Sequence, residues 1–144
     1  MELRAITPRE ASIFACLVDA ICDPADPLPE VRETSAVAFL DEWLDRAPVL
    51  NRLGFRALLY LAEAGPALAG YGTRLRRLDR RRRQEYLERV MHSRAAALKA
   101  ASELLRASVG LGYYGDTAVM QAVGYDPEEK LRVARELRQR EGRP

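Results

Sequence analysis

Apolar residues in this chain recur three or four positions apart, segment after segment, and nowhere do they alternate with polar ones as a half-buried strand requires. Ala, Leu, Arg and Glu dominate, and all four are good helix formers. The pattern therefore predicts an all-α protein. Proline and glycine cut it into pieces, which predicts an irregular bundle of five or six helices with one long central helix. A chain of 144 residues that is 48% hydrophobic is one domain on size and can bury a real core.

The first helix has a written start. Thr7 is an N-cap, Pro8 fits the first turn and Glu10 completes a capping box. Ile13, Phe14, Leu17, Val18 and Ile21 form its apolar stripe, and the prolines of "CDPADPLPE" end it. A second helix is expected over about Thr34 to Arg46, with Val37, Leu40, Trp43 and Leu44 on one face. A third follows Pro48, from about Val49 to Ala64, with Leu50, Leu53, Ala57, Leu58 and Leu61 as its core stripe. "AGPALAGYG" breaks the chain, with Gly65, Pro66, Gly70 and Gly72 as turn signals. Asp79 then caps the longest element, expected to run unbroken to about Val109, a span of roughly 45 Å at the helical rise. Its face is Tyr86, Leu87, Val90, Met91, Leu98, Ala101, Leu104, Leu105 and Ser108, and Gly110 and Gly112 end it. Asp116 and Gly124 bound a short helix, and Asp126 with Pro127 and Glu129 opens a last one. The division expected is a helical domain over 1–126 and a charged helix or tail over 127–144, whose thin stripe of Leu131, Ala134 and Leu137 predicts exposure, fraying or docking on another surface.

Composition and spacing supply little chemistry. Cys16 and Cys22 fall on opposed faces of one helix, so no disulfide between them is expected, and Cys16 reads as a buried inert thiol. His92 is the only histidine, and Ser93 beside it on a helix points elsewhere. Glu63, Glu85, Glu88 and Glu103 form no Glu-x-x-His pair, and the glycines match neither a phosphate loop nor a dinucleotide fingerprint. No catalytic residue, cofactor or metal is expected on this chain. No segment is long and apolar enough for a membrane span, and no basic leader precedes an apolar run. The expected location is the cytoplasm, or the periplasm if a partner carries the chain out.

Two stretches stand out. "RLRRLDRRRR" crowds Arg74, Arg76, Arg77, Arg80, Arg81, Arg82 and Arg83 together although the formal net charge of the chain is only +2. Clustered guanidiniums can neutralise phosphates, so a basic adaptor binding nucleic acid through Arg74–Arg83 is one reading. No recognition motif or interleaved aromatics accompany the run, and a protein partner's carboxylates or solvent are the other readings. "LGYYGDTAVMQAVGYDPEE" gathers Tyr113, Tyr114 and Tyr125 among glycines and capping aspartates. Tyrosines with a polar tip suit core edges and interfaces alike, and the residues by themselves leave both open. A small-molecule pocket near these tyrosines is a third reading.

Taken in order, these pieces resemble the gluconate 2-dehydrogenase subunit 3 family. The matching positions are Leu78 with Asp79, Arg83, Tyr86 with Leu87, Ser93 with Arg94, Tyr113 with Tyr114, Asp116, Val119, and Gly124 with Tyr125 and Asp126. The early helix ending in "AICDP" is also similar to that family's opening. The resemblance implies a small, chaperone-like, non-catalytic accessory subunit. It would pair with a flavin-containing large subunit of the glucose-methanol-choline oxidoreductase class, which carries the flavin and is helped to mature. On this reading the partner-binding residues are Tyr113, Tyr114, Asp116, Tyr125 and Asp126, with Arg81, Arg82, Arg83 and Tyr86 from the preceding helix.

Overall fold

Thr7 starts the first helix as its capping box predicts. In the computed structural model, which describes residues 3–140 and 142, helix α1 spans Pro8–Cys22. The Glu10 carboxylate accepts the Thr7 N–H at 2.8 Å, and the Thr7 hydroxyl accepts the Glu10 N–H at 3.3 Å. Helices α2 (Ala36–Arg46), α3 (Val49–Pro66), α4 (Arg80–Met91), α5 (Ala96–Tyr114), α6 (Thr117–Ala122) and α7 (Pro127–Arg140) follow. No strand forms among the described residues, and none of their helices is long and apolar enough to cross a membrane. Positions 1, 2, 141, 143 and 144 of the two expected segments lie outside the described residues.

Helix α1 is the axis of the bundle. It packs on α2, α3, α4 and α5, and Ile13, Phe14, Leu17 and Val18 are wholly buried there. Leu40 and Leu44 of α2, Leu59 of α3, and Val109 and Tyr113 of α5 close the same core.

Five buried or half-buried carboxylates tie distant segments together. Glu10 takes Arg56 of α3 at 2.7 Å. Asp41 accepts the backbone N–H groups of Arg4, Ala5 and Ile6, which lays the N-terminal segment on α2. Glu63 pairs with Arg76 at 3.0 Å, Asp116 receives Ser35, and Asp19 holds Arg80 and Arg83. No buried side-chain nitrogen or oxygen among the described residues lacks a hydrogen-bond partner, as a stable interior requires.

The bundle departs from the sequence expectation in three places. The segment from Asp79 to Val109 is not one helix. It breaks after Met91, so the described residues form seven α-helices rather than five or six. His92 leaves helical geometry, its ring Nδ1 lies 2.8 Å from the Glu88 carbonyl, and the Ser93 hydroxyl accepts the Ala95 N–H at 3.2 Å. The chain turns there and α5 packs back on α4, with Leu98 and Leu104 left exposed rather than in the expected face. Second, Gly110 and Gly112 do not end a helix; both lie inside α5. A Cβ on Gly112 would stand 3.3 Å from the Ala36 carbonyl oxygen and 3.2 Å from the Phe39 ring, so this glycine lets α5 close on α2. Third, α3 runs past the expected glycine break to Pro66 and continues as a π-type turn over Ala67–Tyr71, where Gly70 and then Gly72 take positive φ. It also turns a different face inward. Phe55, Leu59, Ala62 and Pro66 are buried, whereas Leu50, Leu53 and Leu61 of the expected core stripe are exposed. Gly65 helps to set that face: a Cβ there would fall 1.8 Å from the Tyr86 hydroxyl, so only glycine admits Tyr86 against α3.

Candidate partner-binding surface

The tyrosine corner is built on the end of α5, and its two adjacent tyrosines have opposite fates. Tyr113 is fully buried, and its hydroxyl donates to the Pro29 carbonyl at 2.7 Å. It thereby pins the proline-rich loop between α1 and α2. Tyr114 meets the Tyr113 ring edge-on, with centroids 5.3 Å apart, but is 49% exposed. A step of one residue turns about 100° around a helix, so two neighbours share no face. Tyr125, after the left-handed Gly124, is 48% exposed.

Asp116 is structural. One carboxylate oxygen accepts the Ala118 and Val119 N–H groups and caps α6, while the other accepts the Ser35 N–H at 2.8 Å and its hydroxyl at 2.7 Å. Burial pushes this carboxyl up, but the bonds from Ser35, Val119 and Ala118 outweigh it and hold the group below its ordinary value. Asp126 is exposed and caps α7 through the Glu128 and Glu129 N–H groups.

The arginine run is mostly engaged with the protein itself. Arg76 reaches Glu63, Arg80 reaches Asp19 and Asp23, and Arg83 bonds Asp19 and the Leu78 carbonyl. Arg81 is largely exposed and pairs with Glu85 one turn on. Arg82 and Arg89 lie over the Tyr71 ring at 5.8 and 5.4 Å. Tyr86 is buried between Tyr71 and Gly65, and burial raises its phenol. Of the residues assigned to partner binding, then, Tyr113, Asp116, Tyr86 and Arg83 are inside the bundle, holding it together. Tyr114, Tyr125, Asp126, Arg81 and Arg82 are on its surface.

The surface around Tyr114 extends further than the sequence motif. Ala97, Ala100, Leu104, Ala107, Leu111 and Tyr114 are all exposed, uncharged and spaced by alternating threes and fours along one side of α5. Helices that pair with another helix use the same spacing. The periodicity was visible in the sequence, but Leu104 satisfied a core stripe equally well.

Among the described residues no three His, Cys, Asp or Glu side chains gather as a metal site. Cys16 and Cys22 are half-buried and unpaired. Burial raises both thiols, Cys22 to about 11, the opposite of an activated nucleophile. A cleft of about 430 Å³ between α1 and α4 is lined by Cys16, Asp19, Arg80 and Arg83, whose charged groups already bond one another. That cleft and the larger one along α7 are not lined by Tyr113, Tyr114 or Tyr125. No protein-family model, curated protein or solved structure matches the chain.

Proposed function

We propose that this chain is a non-catalytic accessory subunit that binds a flavin-dependent oxidoreductase chain and supports its maturation or stability. The observation that carries the proposal is the contrast between the interior and the surface. The buried polar groups satisfy one another, while the family-like motif ends in exposed aromatic rings, Tyr114 and Tyr125, of which Tyr114 closes the uncharged row along α5. Half-exposed tyrosines beside an apolar strip are the material of interface anchors. The partner class, a flavoprotein of the glucose-methanol-choline type, is what the resemblance of Leu78–Asp126 to the gluconate 2-dehydrogenase subunit 3 family implies. The nucleic-acid reading loses some support, because Arg76, Arg80 and Arg83 are held by carboxylates of the bundle itself, which leaves fewer cations of the run for phosphates.

The test is recovery of the tagged chain from its own cells at moderate salt. The proposal expects a second polypeptide in constant ratio, identified by mass spectrometry as a flavoprotein of that class and carrying the flavin absorbance. Recovery of the chain alone, or with nucleic acid that resists salt, contradicts it.

A further inference from the structure

Helix α7 has two unlike sides. None of the other helices packs along it, and Leu131, Val133 and Leu137 are 58, 42 and 51% exposed. At about 100° per residue these three share one side with Ala134, and Lys130 and Arg138 fall among them. Arg135 and Arg140 stand at the two edges of that side. The opposite side holds Glu128, Glu129 and Glu136, which are all the carboxylates of the helix, with Arg132 between them. Arg132 bridges Glu129 at 4.0 Å and Glu136 at 3.7 Å. The acidic side is therefore partly neutralised within the helix. Lys130, Arg135, Arg138 and Arg140 pair with no carboxylate among the described residues.

We propose that α7 is a docking helix whose apolar, cationic side lies in a groove of the partner polypeptide, apolar at its floor and rimmed by carboxylates. The inference rests on the accessory-subunit reading and gives the partner a second contact, reached directly after the exposed Tyr125. Charge specifies the rim. Cations set in and beside an apolar row lose their water when the row is buried, and carboxylates along the groove offset that cost. Length argues for an occupant. The helix has 14 residues, a length at which an isolated helix is marginal in water and packing of an amphipathic side supplies what propensity does not. A helix laid in a groove by one side is a common way for one chain to hold another.

Other occupants fit less well. Two α7 helices facing each other by this side would bring Lys130 and Arg138 of both copies together in either orientation, and like charges oppose the pairing. The helices of the bundle with long exposed apolar rows, α3 and α5, offer a second copy's α7 no acidic rim. The only carboxylate of α3, Glu63, is buried against Arg76, and the only one of α5, Glu103, lies one turn from both Lys99 and Arg106. A lipid surface is met by helices richer in Trp, Phe and Leu, whereas α7 has three large apolar side chains and no aromatic ring. Nucleic acid is held by cations alone and makes no use of the row between them.

The experiment places a photo-crosslinking amino acid at Leu137 in the full chain, in its own cells, and maps the crosslinked peptide by mass spectrometry. Two double variants carry the same probe. Lys130→Glu with Arg138→Glu reverses the docking side, and Arg132→Gln with Glu136→Gln alters the opposite side at constant net charge. The expected result is a crosslink to one segment of another polypeptide that sets Asp or Glu beside apolar residues. Its yield should fall by about tenfold or more in the first variant and stay within about twofold in the second. Both should keep the melting curve of the bundle, because none of its helices packs along α7. A crosslink to a second copy of this chain, to lipid or to nucleic acid overturns the proposal. So does no crosslink, an undiminished yield in the first variant, an equal loss in both, or an altered melt. If the crosslinked polypeptide carries no flavin, the docking helix stands and the flavoprotein reading fails. If a flavoprotein co-purifies undiminished with the first variant, the docking helix fails and the flavoprotein reading stands.

Discussion

Tyr113 and Tyr114 are neighbours in sequence and should be opposites in effect. Tyr113→Ala removes the largest fully buried side chain of the core. Truncating a buried aromatic costs about 3–5 kcal/mol. The Pro29 carbonyl also loses its 2.7 Å donor, a bond worth about 1 kcal/mol. Against a total stability of about 5–15 kcal/mol, a loss of about 4 kcal/mol is severe. For a domain of this size it lowers Tm by roughly 10 °C or more. Tyr113→Phe keeps the ring and loses the hydroxyl, so it should cost about 1 kcal/mol. Tyr114→Ala removes a ring that is 49% exposed. It should stay within about 1 kcal/mol in stability, yet weaken capture of the partner by more than tenfold, about 1.4 kcal/mol or more in binding. Circular-dichroism melts of the three variants, run beside titrations of the partner, separate the two effects. The reasoning is refuted if Tyr114→Ala melts as early as Tyr113→Ala, or if Tyr113→Ala melts like the parent.

Three further outcomes follow from the interior. Gly65→Ala should destabilise the fold by about 1–3 kcal/mol despite alanine's better helix propensity, because its Cβ would overlap the Tyr86 hydroxyl at 1.8 Å. Tyr86→Phe should recover part of that loss in a double-variant melt, and a stabilised Gly65→Ala would contradict the packing. Arg76→Ala leaves Glu63, which is 2% exposed, without its cation, and denaturant titration should show a loss of about 3–5 kcal/mol. In acid, Glu10, Asp41 and Asp116 all have folded pKa values below their ordinary ones. Burial raises each, and the hydrogen bonds from Arg56 and Thr7, from Arg4, Ala5 and Ile6, and from Ser35 and α6 outweigh it. Their stabilisation is therefore complete above the ordinary values of 4.5 for Glu and 3.8 for Asp, and is lost as pH falls through the lower folded values. Melts should accordingly fall steeply below about pH 4, and Asp41→Asn should flatten that fall.

What was legible in the sequence was local. Thr7, Asp79, Asp116 and Asp126 each cap the helix they precede, because a cap bonds within three residues of itself. Non-local choices were not legible. Helix α3 is apolar on two sides, so its period fitted Leu50, Leu53 and Leu61 as well as Phe55, Leu59 and Ala62; the Glu10–Arg56 pair and the Gly65–Tyr86 approach settled which side went in. The break at Ser93 has no proline or glycine to announce it, and it exists because α5 packs back on α4. Gly112 read as a helix end when its role is contact with Ala36. The arginine run read as a surface patch because Asp19 and Glu63 are more than ten residues from the cations they hold. For the surface, the motif located the corner, but burial alone distinguished Tyr114 from Tyr113.

The most direct test of the central claim is the flavin content of the proposed flavin-dependent partner chain expressed with and without this one. The accessory-subunit account predicts that the large chain is soluble, flavin-loaded at close to one per chain and active only when this chain is present. It predicts further that Tyr114→Ala together with Leu111→Asp, at exposed positions of α5, reduces that yield without unfolding the small chain. A large chain equally loaded and equally active in its absence would contradict the account.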